Sequence, residues 1–439
     1  MSTGPQHHVP HGIPQDINPQ HDSPGPGTPE HEPGPHAGAE SGSDSGGRGP
    51  LSGVLVADFS RVLAGPLTTM WLADLGATVV KVERTGSGDE TRGWGPPWAG
   101  DTSSYFTAAN RSKLSLDLDL NAAEDVALAQ QLAGRADVMV ENFRVGSLAR
   151  FGLDYESVAA ANPGVVYASI SGFGTAEGAS LPGYDFIVQA VGGLMSITGQ
   201  PEGEPTKVGV ALVDVLTAKD AAIAILAALR ARDQGHGGQH VQVNLLSTLL
   251  GSLANQASSY LTTGNSPTPM GNQHPSIAPY ETLRCRDGLL AVACGNNGQF
   301  QRLCNVLGIP EVAADPRFET NAARVTNRAD LVAALEEQLS HRDASEWETM
   351  LQGADVPAGQ VASIEAAFAR AAELGLRPTT DLPGGHPPQV AHPISYSTTR
   401  PRPATAPPGL GQHSDQVRTW LRDGAPLDDL ETMLDSRDD

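Results

Sequence analysis

Strand-like and helix-like segments alternate along residues 54–245 of this chain. Residues 54–59 form a β-rich run, residues 66–75 a helical pattern, and residues 78–83 a second β-rich run. The helical pattern begins with Pro66 and is followed by Gly76, an arrangement typical of an α-helix. Because strand–helix–strand units favour neighbouring parallel strands, the sequence predicts an α/β fold with a mostly parallel sheet covered by helices.

The alternation continues through further predicted helices and strands. Helical patterns cover residues 122–134, 155–161 and 215–232, and β-rich runs cover residues 137–142, 165–171 and 240–245. This repetition predicts a Rossmann-like, doubly wound large domain. The first βα turn, residues 60–66, lacks the glycine spacing that lets a backbone approach a pyrophosphate, which argues against a nicotinamide dehydrogenase.

Composition divides the chain into four predicted parts. Residues 1–50 are rich in His, Pro, Gly and Ser and should form a disordered tail, whose irregularly spaced histidines indicate no metal site. Residues 51–261 form the large domain, and residues 262–355 form a linker and a smaller α+β domain. Strands at 280–284 and 289–294 and helices at 298–307, 328–338 and 344–352 are predicted there. Residues 356–439 are expected to return to the large domain.

Charge and cysteine content limit the possible partners and compartments. The net charge is −22, and about −17 of it falls on residues 51–439. Such an acidic surface repels a phosphate backbone, so we expect no nucleic acid partner. The three cysteines are too few for a disulfide framework and fit a reducing cytoplasm. There is no signal-like segment and no apolar run near twenty residues, so no membrane association is expected.

Asp214 is the strongest candidate for a reactive side chain. It follows a strand-like run at residues 208–213 and precedes the helical pattern at 215–232. Its carboxylate should lie at a helix N-terminus and at the carboxyl end of a strand, where anions are stabilised and ligands bind. An ionised aspartate there can act as a nucleophile without a base. Residue type and position alone favour the simpler role of helix N-cap.

A series of short motifs extends over about 360 residues. The motifs are DFSRVLAGP (58–66), DLGA (74–77), VKVER (80–84), GSGD (86–89), VENF (140–143), SGFG (171–174), PGYD (182–185), GVALVD (209–214), PSIAPY (275–280), GNNGQF (295–300) and LGQH (410–413). Together and in this order, they resemble the family III CoA-transferases of the CaiB/BaiF type, which include formyl-CoA transferase. The resemblance implies a homodimer of two interlocked, ring-like subunits. It also implies that CoA and acyl-CoA are substrates, with no permanently bound cofactor.

The resemblance assigns Asp214 as the nucleophile that forms an aspartyl anhydride and then an aspartyl-CoA thioester. Helix N–H groups are expected to lower its pKa and to stabilise an oxyanion. By position, the residues that contact CoA would be Val62, Leu63, Arg84, Lys113, Asn142, Phe143, Arg150 and Phe151. Leu63 stands where formyl-CoA transferase has glutamine, so no side-chain hydrogen bond to the intermediate is expected there.

Other motifs concern the second substrate. The PSIAPY motif and the Arg61-Val-Leu sequence resemble succinyl-CoA:glutarate transferases, which favours a succinyl-CoA donor and a dicarboxylic acceptor. Arg61 or Arg92 is then a candidate partner for the distal carboxylate. The glycine loop of formyl-CoA transferase is replaced by residues 270–277, where Gln273 and His274 are candidates to face the reacting carbonyl.

Two alternatives to transfer remain open. In α-methylacyl-CoA racemases, which belong to the same superfamily, the equivalent of Asp185 follows Gly-His and moves the α-proton. Here Asp185 follows Gly-Tyr, as it does in transferases, and a structural role is expected. The other alternative is a CoA-binding protein without catalysis, which the presence of Asp214 and of the candidate phosphate contacts argues against.

Overall fold

A computed structural model describes residues 49–435, all of which belong to one compact unit. At its centre is a sheet of six parallel strands. In spatial order the strands are Lys113–Leu118, Thr78–Arg84, Leu55–Asp58, Val138–Glu141, Val166–Ser171 and Gln239–Asn244. The chain starts inside the sheet and extends to one side and then to the other, which is the doubly wound arrangement. The predicted α/β class with a parallel sheet is confirmed.

Helices cover both faces of this sheet. One face carries Ala123–Arg135, Tyr155–Ala161, Ser414–Asp423 and Leu427–Asp435. The other carries Ala64–Asp74, Asp185–Val191, Leu212–Ala231 and Leu245–Ser252. Strand residues alternate between the two cores, with Leu55 and Ala57 in the first and Val56 in the second. This is the period of two that a strand buried on both faces requires.

A third hydrophobic core lies within residues 278–358. Its antiparallel sheet contains, in spatial order, Ala358–Gln360, Leu289–Ala293 and Tyr280–Arg284. The helices of this core region are Asn297–Leu307, Pro310–Ala314, Asn321–Thr326, Arg328–Leu339 and Ala344–Gly353. The predicted strands and three of these helices agree with the sequence analysis to within one residue at each end. The domain limits at 261 and 355 remain predictions.

Shorter elements complete the described residues. They are the strand pairs Trp98–Ala99 with Thr102–Ser103 and Thr379–Thr380 with Gln389–Val390, the helices Ser104–Thr107, Leu194–Ile197, Ala254–Thr263 and Ile364–Glu373, and single turns at Glu90–Gly93, Ala149–Phe151, Arg232–His236 and Pro383–Gly385. No helix within residues 49–435 is both long enough and apolar enough to cross a membrane. The predicted tail at residues 1–50 falls almost entirely outside the described residues.

One local prediction was wrong. Residues 208–213 do not form a strand, and the helix Leu212–Ala231 begins inside that run. The side chain of Gln189 accepts the N–H of Val208 at 3.0 Å, and that of Asp185 accepts the N–H of Val213 at 2.7 Å. These backbone groups therefore donate to side chains of the helix Asp185–Val191 and not to a strand partner. Asp214 consequently lies in the first turn of the helix, whose N-cap is Ala211.

Candidate active site

A cavity of about 470 Å³ lies at the carboxyl ends of the central strands and contains Asp214 in its wall. This is the edge of an α/β sheet at which ligands bind. The cavity is lined by residues 61–64, 90, 142–145, 170–174, 178–184, 214 and 245. Val62, Leu63, Asn142, Phe143 and Arg61, which were predicted separately from motifs, are therefore brought together around the predicted nucleophile.

The environment of Asp214 differs from the sequence-based expectation. Burial, together with the nearby negative charge of Asp185, raises the pKa of Asp214 to about 7. The expected lowering of this pKa by helix N–H groups is therefore wrong. The reason is that one oxygen of Asp185 already accepts the N–H groups of Val213, at 2.7 Å, and of Asp214, at 3.2 Å. The Asp214 carboxylate is left in a partly buried site beside a second acid.

Asp185 is held in this capping position by Gln189. The buried Gln189 amide donates to the second oxygen of Asp185 at 2.6 Å, and its carbonyl oxygen accepts the N–H of Val208. Both Asp185 oxygens are therefore used in hydrogen bonds that fix the start of the Asp214 helix. This supports the structural role expected for Asp185 and provides no feature specific to proton transfer by a racemase.

The first βα turn forms the cavity wall opposite this helix. The side chain of Asn142 accepts the N–H of Arg61 at 2.9 Å and donates to the carbonyl oxygen of Arg61 at 2.7 Å. Val62 has a φ of +71°, which is rare for a β-branched residue, and its N–H points to the carboxylate of Asp89 at 3.3 to 3.4 Å. Asn142 thus contributes mainly by holding the turn.

A second cavity, of about 670 Å³, shares Arg61, Glu90 and Phe143 with the first. Its lining includes Arg84, Arg150 and Phe151, three of the predicted CoA contacts. Arg84 and Arg150 are exposed, and the Arg150 guanidinium lies 4.4 Å from the centre of the Phe151 ring. Exposed guanidinium groups at a cavity of this size are suited to phosphate groups.

Two predicted ligand contacts have structural partners. Lys113 is fully buried and donates to Asp58 at 3.0 Å, to the carbonyl oxygen of Pro66 at 2.8 Å and to Asn110 at 2.9 Å. Arg92 forms a two-point ion pair with Glu83, at 2.8 and 2.7 Å. All three Lys113 donors are therefore occupied. In this structure Lys113 and Arg92 are engaged in internal ion pairs, and their roles at a CoA phosphate and at a substrate carboxylate stay predictions.

The loop residues Gln273 and His274 lie in the lining of neither described cavity. Nδ1 of His274 accepts the N–H of Ser276 at 3.1 Å, and its ring lies 5.2 Å from that of Tyr280. A single chain therefore does not bring these two side chains to Asp214. Their expected position at the reacting carbonyl is not found in this structure.

Tyr105 lies in the lining of neither described cavity but is close enough to the site carboxylates to be affected by their charge, and the sequence analysis missed it. Burial raises its pKa to about 12, and the negative charges of Asp214, Asp185 and Asp89 add to this effect. The Tyr105 hydroxyl therefore lies in the field of the site carboxylates and stays protonated, able to donate a hydrogen bond. It lies in the four-residue helix Ser104–Thr107, which is too short to leave a periodic signal in the sequence.

The described residues contain no cluster of three or more His, Cys, Asp or Glu side chains suited to a metal ion. In the wall of the first cavity, Asp214 is a carboxylate that titrates near neutral pH, and Arg61 is a half-exposed cation paired with Glu90 at 3.4 Å. Tyr105, outside that lining, is a protonated donor in the field of the site carboxylates. Such a set suits covalent catalysis on an acyl group carried by an anionic ligand.

The chain is similar over most of its length to proteins of one family. The profile of CoA-transferase family III matches residues 51–414. A succinate–glutarate CoA-transferase from Agrobacterium fabrum is 43% identical over 85% of this chain and 96% of that protein. An acetyl-CoA:oxalate CoA-transferase from Acetobacter aceti is 41% identical over 72% of this chain and 82% of that protein. A CAIB/BAIF family protein from Brucella suis matches in structure with a TM-score of 0.78 and 42% identity, covering 85% of this chain and 100% of that one.

Proposed function

Because this chain belongs to CoA-transferase family III, we propose that it transfers CoA from a dicarboxylic acyl-CoA, such as succinyl-CoA, to a second dicarboxylic acid through Asp214. The observation that carries the proposal is the position of Asp214. Its carboxylate lies in the wall of a cavity that adjoins a second cavity bordered by Arg84 and Arg150. A thioester and the phosphate groups of the same CoA molecule can then be held by neighbouring parts of one chain.

In the proposed reaction, the Asp214 carboxylate attacks the thioester carbonyl and displaces the CoA thiolate, giving a mixed anhydride. The thiolate attacks the aspartyl carbonyl, and the first acid leaves as its carboxylate. The incoming carboxylate then attacks the aspartyl-CoA thioester, which forms a new anhydride and releases the thiolate again. Attack of the thiolate on the new acyl carbonyl yields the product acyl-CoA and regenerates the Asp214 carboxylate. Covalent catalysis of this kind divides one difficult exchange into easier steps.

The pKa of Asp214, about 7, suits both halves of this cycle. A substantial fraction of the carboxylate is ionised at neutral pH and needs no base to become a nucleophile. A more basic carboxylate is also more nucleophilic, so the burial that raises the pKa favours attack on the thioester. Tyr105 is a proposed hydrogen-bond donor for the oxygen on which negative charge develops, because its hydroxyl stays protonated.

Two observations support dicarboxylic substrates. The relatives described above are named for glutarate and oxalate, which are both dicarboxylates. In this chain the Arg61 side chain is 50% exposed and borders the Asp214 cavity. Glu90, whose carboxylate lies 3.4 Å from the Arg61 guanidinium, also lines that cavity. A substrate carboxylate would therefore compete with Glu90 for the guanidinium. Arg61 is therefore the proposed partner for the distal carboxylate.

A homodimer is also part of the proposal. Helix Ile364–Glu373 has no buried residue, and Ile364 is 80% exposed. Leu261 is 81% exposed, and the helix Asp185–Val191 also presents apolar side chains to solvent. Exposed apolar surface of this extent is typical of an interface. An interlocked second copy is the proposed cover, and in that case Gln273 and His274 can contribute to catalysis only from the other chain. A cytoplasmic location remains a prediction that fits three free cysteines.

The dimer is tested by sedimentation. The wild-type chain is expected to sediment as a dimer at micromolar concentration, and Ile364→Glu and Leu261→Glu should weaken it. The control is Met350→Glu, which changes an exposed apolar side chain in the third core region, on helix Ala344–Gly353. A wild-type monomer at micromolar concentration would contradict this part of the proposal.

The reaction is tested with an acceptor acid labelled with oxygen-18 in both carboxylate oxygens. A first turnover with succinyl-CoA and labelled glutarate should leave one labelled oxygen in the Asp214 carboxylate, and repeated turnover should label both of its oxygens, as detected by peptide mass spectrometry. The matched control is Asp233→Asn, which removes a carboxylate that is 61% exposed beyond the far end of the same helix and should change neither transfer nor labelling. Transfer without label in Asp214 would exclude the aspartyl intermediate. Transfer by Asp214→Asn with the label in a different residue would exclude Asp214 as the nucleophile.

A further inference from the structure

Val62 has the one strained backbone conformation of a β-branched residue within residues 49–435. Its φ is +71°, and the other non-glycine residues with positive φ are Ser112, Ala254 and Asp355. Branching at Cβ makes this region of conformational space unfavourable for valine. Because such strain persists only when the surrounding structure enforces it, the contacts of Val62 identify what holds the turn.

A buried ion pair holds one side of the turn. Both oxygens of Asp89 face the N–H of Val62, at 3.3 and 3.4 Å, and Asp89 also accepts from the hydroxyl of Thr91 at 2.7 Å. Lys81 donates to Asp89 at 3.0 Å and to the carbonyl oxygen of Ser60 at 2.9 Å. The Lys81 and Asp89 side chains are 1% and 0% exposed. The pair therefore contacts the backbone on either side of Arg61.

Asn142 holds the residue between these two contacts, since its amide is hydrogen-bonded to both the N–H and the carbonyl oxygen of Arg61. The backbone from Ser60 to Val62 is thus fixed at three successive residues by side chains from outside the turn. Immediately after it, Leu63 and Ala64 enter the wall of the Asp214 cavity, while Lys81 and Asp89 border the second cavity. The turn that Lys81, Asp89 and Asn142 hold therefore lies between the two cavities.

A contribution to folding stability does not by itself explain why a buried ion pair, Lys81 and Asp89, holds this turn. Removing two charges from water costs about as much as their attraction returns, and apolar replacements are often equally stable. Opposite charges keep Lys81 and Asp89 ionised, because they raise the pKa of Lys81 and lower that of Asp89 against the effect of burial. Permanently charged groups make strong, directional hydrogen bonds to the backbone, which an apolar pair would not provide.

We propose that Lys81 and Asp89 are positioning residues that hold Val62 in its strained turn, so that the cavity wall is formed before acyl-CoA binds. This inference rests on the proposed function, because it concerns the site at which acyl-CoA would be used. A turn formed in advance removes the cost of ordering that segment during binding. The strain at Val62 then lowers stability in exchange for a binding surface that is already in place.

The first test is Val62→Gly, which relieves the strain and frees the turn. We expect the melting temperature to rise, while the KM for acyl-CoA and the Kd for free CoA increase about two- to fivefold because glycine adopts several conformations. The matched control is Asp355→Gly, another non-glycine residue with positive φ, at +56°, whose side chain is 96% exposed. The control should leave KM and Kd unchanged.

Asp89→Asn is the second test, since it keeps the shape and one acceptor oxygen but removes the charge. We expect KM and Kd to rise roughly tenfold with kcat within twofold, because a charge-assisted bond to the turn is lost. If Asp89→Asn fails to fold, the result with Val62→Gly alone decides whether the proposal holds. Values of KM and Kd within twofold of wild type in Val62→Gly would overturn the proposal. Calorimetric binding of free CoA needs no turnover, so failure of the proposed reaction would be seen separately.

Discussion

Asp185 accepts the backbone N–H of Asp214 at 3.2 Å, and its negative charge adds to burial in raising the pKa of the Asp214 carboxyl. One acid therefore fixes the position of the other and also makes it more basic. A helix N-terminus normally stabilises a nearby carboxylate. Here the N–H groups of Val213 and Asp214, in the first turn, donate to Asp185 and not to the Asp214 carboxylate. The basicity of Asp214 consequently depends on a residue 29 positions earlier in the chain.

The first prediction concerns Asp185→Asn. The amide oxygen of asparagine can still accept the N–H groups of Val213 and Asp214, but the negative charge is lost. The pKa of Asp214 should fall, and the acidic limb of the kcat/KM profile should move to lower pH by roughly one unit. The measurement is the pH dependence of kcat/KM, with Asp233→Asn as a control that leaves the limb in place. An unchanged limb in Asp185→Asn would contradict the electrostatic role.

The second prediction concerns the stability of Asp214→Asn. Because the pKa of Asp214 is raised in the folded state from 3.8 to about 7, ionisation disfavours folding, and this penalty grows from about pH 4 until it is complete above pH 7. Asp214→Asn should therefore have a higher melting temperature than wild type at pH 8. The difference should shrink towards pH 4 and below, where the carboxyl is protonated in the folded state and becomes protonated in the unfolded state too. If the melting temperatures of Asp214→Asn and wild type differed by the same amount at both pH values, ionisation of Asp214 would not destabilise the folded chain.

The third prediction separates Lys113 from ligand binding. Lys113→Met leaves Asp58 buried without its main cationic partner, although Asp58 is ionised in the folded chain, where its pKa is about 2. We expect a loss of about 3–5 kcal/mol in the free energy of unfolding. The Kd of the remaining folded protein for CoA should stay near the wild-type value. Denaturant unfolding and calorimetry measure the two quantities, and the exposed Lys207→Met is the control.

The fourth prediction concerns the phosphate groups of CoA. Arg84→Gln and Arg150→Gln each remove an exposed cation from the rim of the second cavity. If one of them contacts the 3′-phosphate, its loss should reduce the preference for CoA over 3′-dephospho-CoA roughly tenfold. The ratio of the two KM values measures this preference, and Arg342→Gln, in the third core region, is the control. A ratio unchanged in both variants would remove these residues from the 3′-phosphate site.

The sequence predicted best those features that depend on local pattern. Helix Tyr155–Ala161 and strand Tyr280–Arg284 have the predicted ends, because periodicity and turn residues determine them locally. The prediction missed the edge strand Lys113–Leu118, in which apolar residues alternate with a lysine, a serine and an aspartate. Lys113 is buried because Asp58, 55 residues earlier, neutralises it. Such a pairing leaves no signal in a single sequence.

The candidate site likewise combines features that local motifs predict with features that depend on distant residues. Asp214, Val62, Leu63 and Phe143 were found from motifs because each motif identifies a short stretch of backbone at the carboxyl edge of the sheet. The pKa of Asp214 was predicted in the wrong direction because it depends on Asp185, which another segment supplies. Tertiary contacts between distant segments therefore determined the electrostatics, while local patterns were sufficient to place Asp214 in the wall of a cavity.

The wall between the two cavities has a consequence for how binding energy is used. Arg61 and Phe143 face both spaces, with the guanidinium 5.5 Å from the centre of the ring. If CoA binds as proposed, contacts made by its nucleotide end on one side of this partition support the groups that border the thioester on the other. Energy gained far from the reacting carbonyl can thus be used to align it, and a thioester cut short before the nucleotide would lose turnover as well as affinity.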